Sequence, residues 1–452
     1  MTRSIAHHIS FEMFLLWLLE FILAFLVFYV LLLPGEASGA AGLDLSTTKN
    51  AALLGLTVGL ISIAIGLYRP EICLRTRALL VNSVVAGVIG FPVVLLVSVL
   101  THIDPSLLLG HDAIWPMKML LSWVLLLFGT RLLLRVAVRS GLLTRNILLV
   151  GTPDQALCTA AAVAALPRQV FKVLKVLPPE EAASLTAAWL SQHKIWGVVV
   201  ASGAGRQEGA LNQLLRAQAR GVRVFGDVLF REQHLRRMDL ASLTPDWLLR
   251  ANSLSPGVPS RIVRRGAEIG LSLFGLLLTL PLLVLAAVAI KLDSPGPVLY
   301  RQERVGLGGR SFVLLKLRSM RTDAEVNGPA WASLGDARVT RVGAFLRKTR
   351  IDELPQLLNV LRGEMGFVGP RPERPHFVAK LNAEIPFYAD RHQVKPGITG
   401  WAQVSMAYGA SVEDAREKLS YDLYYVKNRS LFLDALIILS TVRVILFQEG
   451  AR

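Results

Sequence analysis

Apolar blocks close to 20 residues long constrain this chain more than any other feature. In hydrocarbon each backbone amide must be satisfied within its own segment, and a helix of about 20 residues is what crosses. Four such blocks occupy roughly the first 140 of the 452 residues, at Phe11 to Leu33, Ala51 to Leu67, Leu79 to Leu100 and Trp115 to Leu134. They predict a membrane α-helical bundle of four spans over residues 1–140. No small-residue cleavage site follows the first block and further blocks come after it, so it reads as an anchor rather than a cleaved signal. The links "YRPEICLRTR" and "RLLLRVAVRSGLLTR" are basic, whereas "PGEASGAAGLDLSTTKN" and "THIDPSLLLGHD" are nearly free of positive charge. Both ends of the bundle are therefore expected at the cytoplasmic face. A formal charge of +16 beside 53% hydrophobic residues reads as basic residues next to an anionic leaflet, not as a nucleic-acid partner. Cys73 and Cys158 are far apart and match neither a disulfide framework nor a zinc spacing, so they read as buried thiols.

Past Asn146 the pattern changes. "NILLVGTPDQALCTAAAVA", "IWGVVVAS", "GALNQLLRAQARG" and "VRVFGD" alternate short apolar runs with helical stretches. That alternation predicts an α/β Rossmann-like module with a parallel sheet over residues 145–249. Gly151 stands without the remaining glycines of G-x-G-x-x-G, which argues against dinucleotide binding and for a regulatory or assembly module.

A fifth apolar block runs from Ile269 to Ile290 with Pro281 in its middle. Arg261, Arg264 and Arg265 flank one end and Lys291 the other, so both flanks carry inside-type charge. A crossing helix would put everything downstream outside, away from cytoplasmic nucleotides. A broken helix that enters and returns to the same face satisfies the charges and the proline together; the alternative is an ordinary kinked fifth span.

The segment after Lys291 is dense in glycine, proline, arginine and acids. In "IDELPQLLNVLRG", Leu354, Leu357, Leu358 and Leu361 have helical spacing, and Gly363 stops the run. Pro355 is tolerated only in a first turn, so a helical turn begins at or near Asp352. Asp352 and Glu353 then read either as capping acids or as a reactive pair at an anion site. Prolines 370, 372 and 375 stiffen the backbone around Arg371 and Arg374, an arrangement suited to bidentate phosphate binding. Upstream, Arg301, Arg304, Arg310, Lys316, Arg318 and Arg321 surround a Gly-Gly hairpin turn. "VKPGITGWAQV" places Trp401 where it could pack on a base or sugar ring or form a structural corner, and "YDLYYVKN" adds Asp422, Tyr424 and Tyr425. The final run "SLFLDALIILSTVRVILF", with Asp434 and Arg443, predicts an in-plane or docking helix beside the membrane.

In order and spacing, "KLDSPGPVLYRQERVGLGGRSFVLLKLRSM", "TRIDELPQLLNVLRGEMGFVGPRPERP", "KPGITGWAQV" and "YDLYYVKN" resemble the bacterial sugar transferases, the polyprenyl-phosphate hexose-1-phosphate transferases also called monotopic phosphoglycosyl transferases. The resemblance covers residues 261–452, and the spans and α/β module before it look like the large form of that family. It implies an α+β monotopic catalytic domain with a re-entrant membrane helix at 269–290, bounded by Arg264, Arg265 and Glu268 and bent at Pro281. It also implies the first membrane step of exopolysaccharide, capsule or O-antigen synthesis at the cytoplasmic face of the bacterial inner membrane. Asp352 would attack the β-phosphate of a UDP-hexose, release UMP and pass the phosphosugar to undecaprenyl phosphate. Mg2+ would be held by Asp352 and Glu353, with Glu353 as metal ligand or acid-base helper. Lys316, Arg318, Arg338, Arg371, Arg374, Trp401 and Asp422 would contact substrate, and a homodimer is implied. One departure is "RRGAE", where the family has an aspartate in place of Glu268.

Two other readings compete. A transporter predicts inverted repeats and ionisable residues inside the first four spans, and neither is evident in the sequence. A membrane-bound nucleotide-sensing regulator or scaffold built on the α/β module would leave Asp352 and Glu353 dispensable.

Overall fold

The computed structural model describes residues 11–32, 45–68, 76–103, 115–140, 144–152, 171–182, 186–201, 208–219, 221–243, 258–324, 336–406 and 411–446, with a few single positions between them. Cys73, Cys158 and most of the links that set the bundle's orientation lie outside the described residues. The chain divides into two units, Met1–Leu235 and Arg236–Arg452.

In the first unit, helices α1 (Phe11–Leu32), α2 (Leu45–Ala64), α3 (Thr76–Leu100) and α4 (Trp115–Arg139) occupy the four apolar blocks. Leucine, valine and isoleucine dominate them, and aromatic rings stack along α1 from Phe14 through Trp17, Phe21 and Phe25 to Tyr29. Small residues let backbones approach closely: a Cβ on Gly55 would lie 3.2 Å from the Phe25 amide nitrogen. Phe28, Leu54, Val58 and Val94 share the buried core of the bundle. By length and composition, Leu45–Ala64, Leu79–Leu100 and, in the second unit, Val258–Asp293 could cross a membrane; Phe14–Val30 is a shorter apolar stretch. Among the described residues helix α4 does not meet that standard, so the expected four spans are seen as four helices of which two meet it.

The expectation of a bundle without ionisable residues is corrected. Glu20 on α1 and Arg131 on α4 form a fully buried ion pair. The Tyr68 hydroxyl donates to Glu20 Oε2 at 2.5 Å, and the Thr130 hydroxyl to Oε1 at 2.6 Å. One acid and one arginine, 111 positions apart, hardly register in blocks that are otherwise mostly apolar. Burial of a charge requires such a partner.

The same unit holds a four-stranded, wholly parallel sheet in the order β2-β1-β3-β4, from β1 (Arg145–Val150), β2 (Phe171–Leu177), β3 (Ile195–Val200) and β4 (Arg223–Gly226). Ile147 and Leu149 of β1 face one core with Phe230, while Leu148 and Val150 face another with Leu190 and Leu214. A strand buried on both faces needs a continuous apolar run, which "ILLV" supplies. Helices α5 (Glu208–Ala219) and α6 (Asp227–Leu235) complete the alternation.

The second unit begins at Arg236. Residue Met238 donates its amide to Ser420 O at 2.9 Å, and Met238 and Trp247 lie in the C-terminal core. Helix α7 (Val258–Asp293) precedes an antiparallel hairpin, β5 (Leu299–Val305) and β6 (Ser311–Leu317), whose turn has positive φ at Gly308 and Gly309. Then come α8 (Arg341–Thr349), a 3-10 turn (Ile351–Glu353), α9 (Gln356–Arg362), β7 (Gly366–Val368), α10 (Pro375–Glu384), β8 (Gly397–Thr399, parallel to β7), α11 (Val412–Asn428) and α12 (Leu431–Leu446). Helix α11 is central: Leu419, Leu423, Tyr424 and Tyr425 are all buried, and a Ser411–Asp414 capping box starts it. Helix α12 docks on this core through Leu433 and Ile437.

Helix α7 runs without interruption through Pro281, so the expected break is absent as a gap in the helix. The proline removes one amide donor, and the Thr279 hydroxyl donates to the Gly275 carbonyl at 2.7 Å just before it. Leu277, Leu278 and Leu285 are exposed in the middle of this helix. Both ends are covered by one and the same unit: Arg265 reaches α9, and Ala286 and Ile290 pack on Leu317 and Leu346.

Candidate active site

Helix α8 ends with Arg350 in the left-handed conformation (φ 59°), which turns the chain directly into the 3-10 turn carrying Asp352 and Glu353. Pro355 has helical φ and ψ and leads into α9, so residues 351 to 362 follow one nearly continuous helical path. Gly363 closes it at φ 84°. Asp352 therefore lies a turn ahead of α9 rather than at its cap. Its side chain is buried, and Oδ1 has no hydrogen-bond partner.

Glu353 is held by cations from three elements. Lys316 of β6 donates to Oε1 at 3.1 Å, Arg371 from the proline-rich turn donates at 3.0 Å, and Arg350 stands 3.7 Å away. The consequence for the two carboxyls is opposite. Burial pushes the Asp352 carboxyl above the ordinary aspartate range, with Lys316 and Arg371 only partly opposing it. Burial would raise Glu353 too, but Lys316, Arg371 and Arg350 outweigh it and hold that carboxyl well below its usual value. Burial, with Arg371 nearby, lowers the Lys316 ammonium in spite of Glu353. The site thus pairs a permanently charged glutamate with an aspartate whose charge is costly.

The proline-rich turn is pinned at four consecutive carbonyls. Pro370 O accepts from Gly397 N at 3.1 Å and Glu373 O from Val305 N at 2.9 Å. Arg371 O accepts from Arg391 Nη2 at 3.0 Å, and Pro372 O from Arg304 Nη1 at 2.9 Å. Arg391 is itself fixed by Asp422, whose Oδ2 accepts from Nε and Nη2 at 3.0 and 2.6 Å. The Glu373 side chain takes Lys418 at 2.9 Å and Arg304 at 3.4 Å. Burial would raise this carboxyl, but Lys418, Arg391 and Arg304 bring it down to about 2. A shallow, open depression lies between the turn and β6, lined by Arg304, Lys316, Gln356 and Arg371 with Leu314 and Pro372.

Of the residues expected at the site, Asp352, Glu353, Lys316 and Arg371 come together. Others are engaged elsewhere. Arg318 is buried and donates to the Ile290, Ser294 and Pro295 carbonyls, capping the C-terminal end of α7. Arg338 pairs with Asp336 at 2.6 Å and holds that carboxyl at about 2. The Trp401 indole donates to Arg236 O at 2.9 Å and packs near Tyr424, so it forms the structural corner rather than an open stacking face. Asp422 is buried with Arg391 and supports Arg371 from behind. Arg374 sits at the N-cap position of α10. At the membrane helix, Arg264 pairs with Asp434 at 2.8 Å. Arg265 donates to Val360 O and Leu361 O at 2.7 and 2.6 Å, and Glu268 lies between Arg265 and Lys395. Glu268 is thus flanked by two cations. Arg350, Gln356 and Arg391 carried no sequence signal, because nothing in their spacing reveals a left-handed turn or a contact formed across the fold.

The description "Bacterial sugar transferase" belongs to the family model that matches residues 259–448. A UDP-glucose:undecaprenyl-phosphate glucose-1-phosphate transferase of Caulobacter vibrioides is 45% identical over 216 residues, 47% of this chain and 81% of that protein. An exopolysaccharide production protein of Rhizobium leguminosarum is 46% identical over 187 residues, 40% of this chain and 94% of that one. A UDP-N-acetylgalactosamine-undecaprenyl-phosphate N-acetylgalactosaminephosphotransferase of Aeromonas hydrophila is 50% identical over 207 residues. That match takes in 45% of this chain and 49% of the Aeromonas protein, so the chain spans about half of that relative's length.

Proposed function

This chain belongs to the bacterial sugar transferase family, and on that premise we propose that it transfers a hexose-1-phosphate from a UDP-sugar to undecaprenyl phosphate. The single observation that carries the proposal is Asp352, buried with an unpartnered Oδ1 beside a glutamate clamped by Lys316 and Arg371. An Asp352 oxygen attacks the β-phosphorus, the bond from that phosphorus to the bridging oxygen of the α-phosphate breaks, and UMP leaves. The phosphosugar is then an acyl phosphate on Asp352. An oxygen of undecaprenyl phosphate attacks the same phosphorus, the carboxylate departs, and polyprenyl-diphospho-sugar results. Splitting one transfer into two displacements at one phosphorus is what a carboxylate nucleophile offers.

Each neighbouring group has a task. Lys316 and Arg371 bind the diphosphate and lower the cost of ionising Asp352. The pinned turn keeps Arg371 in place, so little side-chain freedom is lost on binding. Glu353 holds both cations between turnovers. The residues also suit Mg2+, since an orphaned buried carboxylate oxygen is a ready ligand. Asp352 with Glu353 would hold the ion together with phosphate oxygens, where it would neutralise diphosphate charge.

The membrane arrangement is part of the proposal. One unit covers both ends of α7 while its middle stays apolar and exposed, which favours a helix dipping into the leaflet that carries the site over one that crosses. The acceptor's chain stays in lipid and the soluble donor arrives from the cytoplasm, at the inner membrane. Membranes containing the protein, given radiolabelled UDP-glucose or UDP-N-acetylgalactosamine with undecaprenyl phosphate, should move label into lipid, and Asp352→Asn should abolish this. Undiminished transfer by that variant would overturn the nucleophile.

A further inference from the structure

The helical path that carries Asp352 buries two more polar side chains, Gln356 and Asn359. Positions 352, 356 and 359 follow helical spacing and share one face. Asn359 is fully satisfied: its Oδ1 accepts from Leu315 N at 3.1 Å, and its Nδ2 donates to Val313 O and to Glu364 Oε2, both at 2.7 Å. It staples the path to β6. Gln356 is 4% exposed and lines the depression with Lys316, Arg304 and Arg371, yet among the described residues no side chain or carbonyl hydrogen-bonds its amide. Its amide atoms are not among the enclosed unpaired ones, so they open onto the depression, where a bound group can reach them.

The company of Gln356 says what the partner is. Three cations already line the same depression and would meet phosphate oxygens by charge. A neutral amide that both donates and accepts is matched instead by a neutral group that does the same, a hydroxyl. Resting on the proposed sugar-phosphate transfer, we infer that Gln356 hydrogen-bonds a hydroxyl of the donor hexose beside the transferred phosphate, and so helps select the sugar.

The test pairs a protein change with a substrate change in the full-length chain. Gln356→Met keeps the volume and removes both hydrogen-bonding functions. UMP release is measured for both proteins with the preferred UDP-hexose and with analogues lacking one hydroxyl at a time. Gln356→Met should lose about tenfold in kcat/KM on the intact donor. One deoxy analogue should cost the wild type a similar factor and cost the variant nothing further. Equal losses with every analogue would mean a phosphate or purely structural role and overturn the inference, as would an unchanged kcat/KM. If Gln356→Met does not fold, Gln356→Asn, with the same chemistry on a shorter arm, is measured instead, and it must weaken the intact donor more than that one analogue. A wild type that releases no UMP from any UDP-hexose would overturn the transferase reading itself, a result distinct from failure of the Gln356 contact alone.

Discussion

Replacing Asp422 by asparagine tests whether the support behind the proline-rich turn is organised as described. Asparagine keeps the shape and removes the charge, leaving Arg391 buried without its carboxylate; both side chains of the pair are 2% exposed. Removing one partner of a buried pair costs about 3–5 kcal/mol, because the remaining charge stays desolvated. For a unit of this size each kcal/mol moves the melting temperature by about 2–4 °C, so a fall of about 6–20 °C is expected. Arg391 also holds the Arg371 carbonyl, so UMP release should drop even at temperatures where the variant is folded. Thermal unfolding of the detergent-solubilised protein gives the first number and initial rates give the second. The double variant Arg391→Met with Asp422→Leu should recover much of the stability, since no charge is then stranded, but not the rate, since nothing then holds the Arg371 carbonyl. A shift below about 2 °C in Asp422→Asn, or a double variant less stable than the single one, would refute the reasoning.

Because burial raises the Asp352 carboxyl, UMP release should rise with pH along a limb lying above the ordinary aspartate value of about 3.9. Lys316→Met, which removes the largest opposing charge, should move that limb further up even as it lowers the plateau; a downward shift would contradict this. Glu373 has a folded value of about 2, depressed from its unfolded one, so its stabilisation is present at neutral pH and lost as pH falls toward 2. Wild type and Glu373→Gln should therefore differ in urea stability at pH 7 and converge only as pH falls through about 2. Gly296 has φ 125°, and a Cβ there would meet the Arg318 guanidinium that caps α7. Gly296→Ala should cost at least about 2 kcal/mol by denaturant titration.

The apolar blocks were legible because lipid-length hydrophobicity is a local property, and so were the parallel strands, whose continuous apolar runs follow from burial on both faces. Asp352 and Glu353 stood out because a proline fixes where their helical turn begins. Arg318, Trp401 and Asp422 show where such reading stops. The resemblance implied each as a substrate contact, yet each is satisfied by the protein itself, by carbonyls at the end of α7, by Arg236 O and by Arg391. The converse holds for Glu20 and Arg131, whose meeting 111 positions apart is invisible until the helices pack.

By itself the sequence determined which segments seek lipid, which alternate as strands and helices, and which two acids stand together, because these depend on neighbours along the chain. Only the tertiary structure decided which cations face those acids, that Asp352 keeps an open oxygen while Glu353 is clamped, and that Gln356 lacks the partner Asn359 has. Such outcomes depend on burial and on distances of about 3 Å between segments far apart in sequence, which set where a charge is costly and where a polar group remains for a substrate.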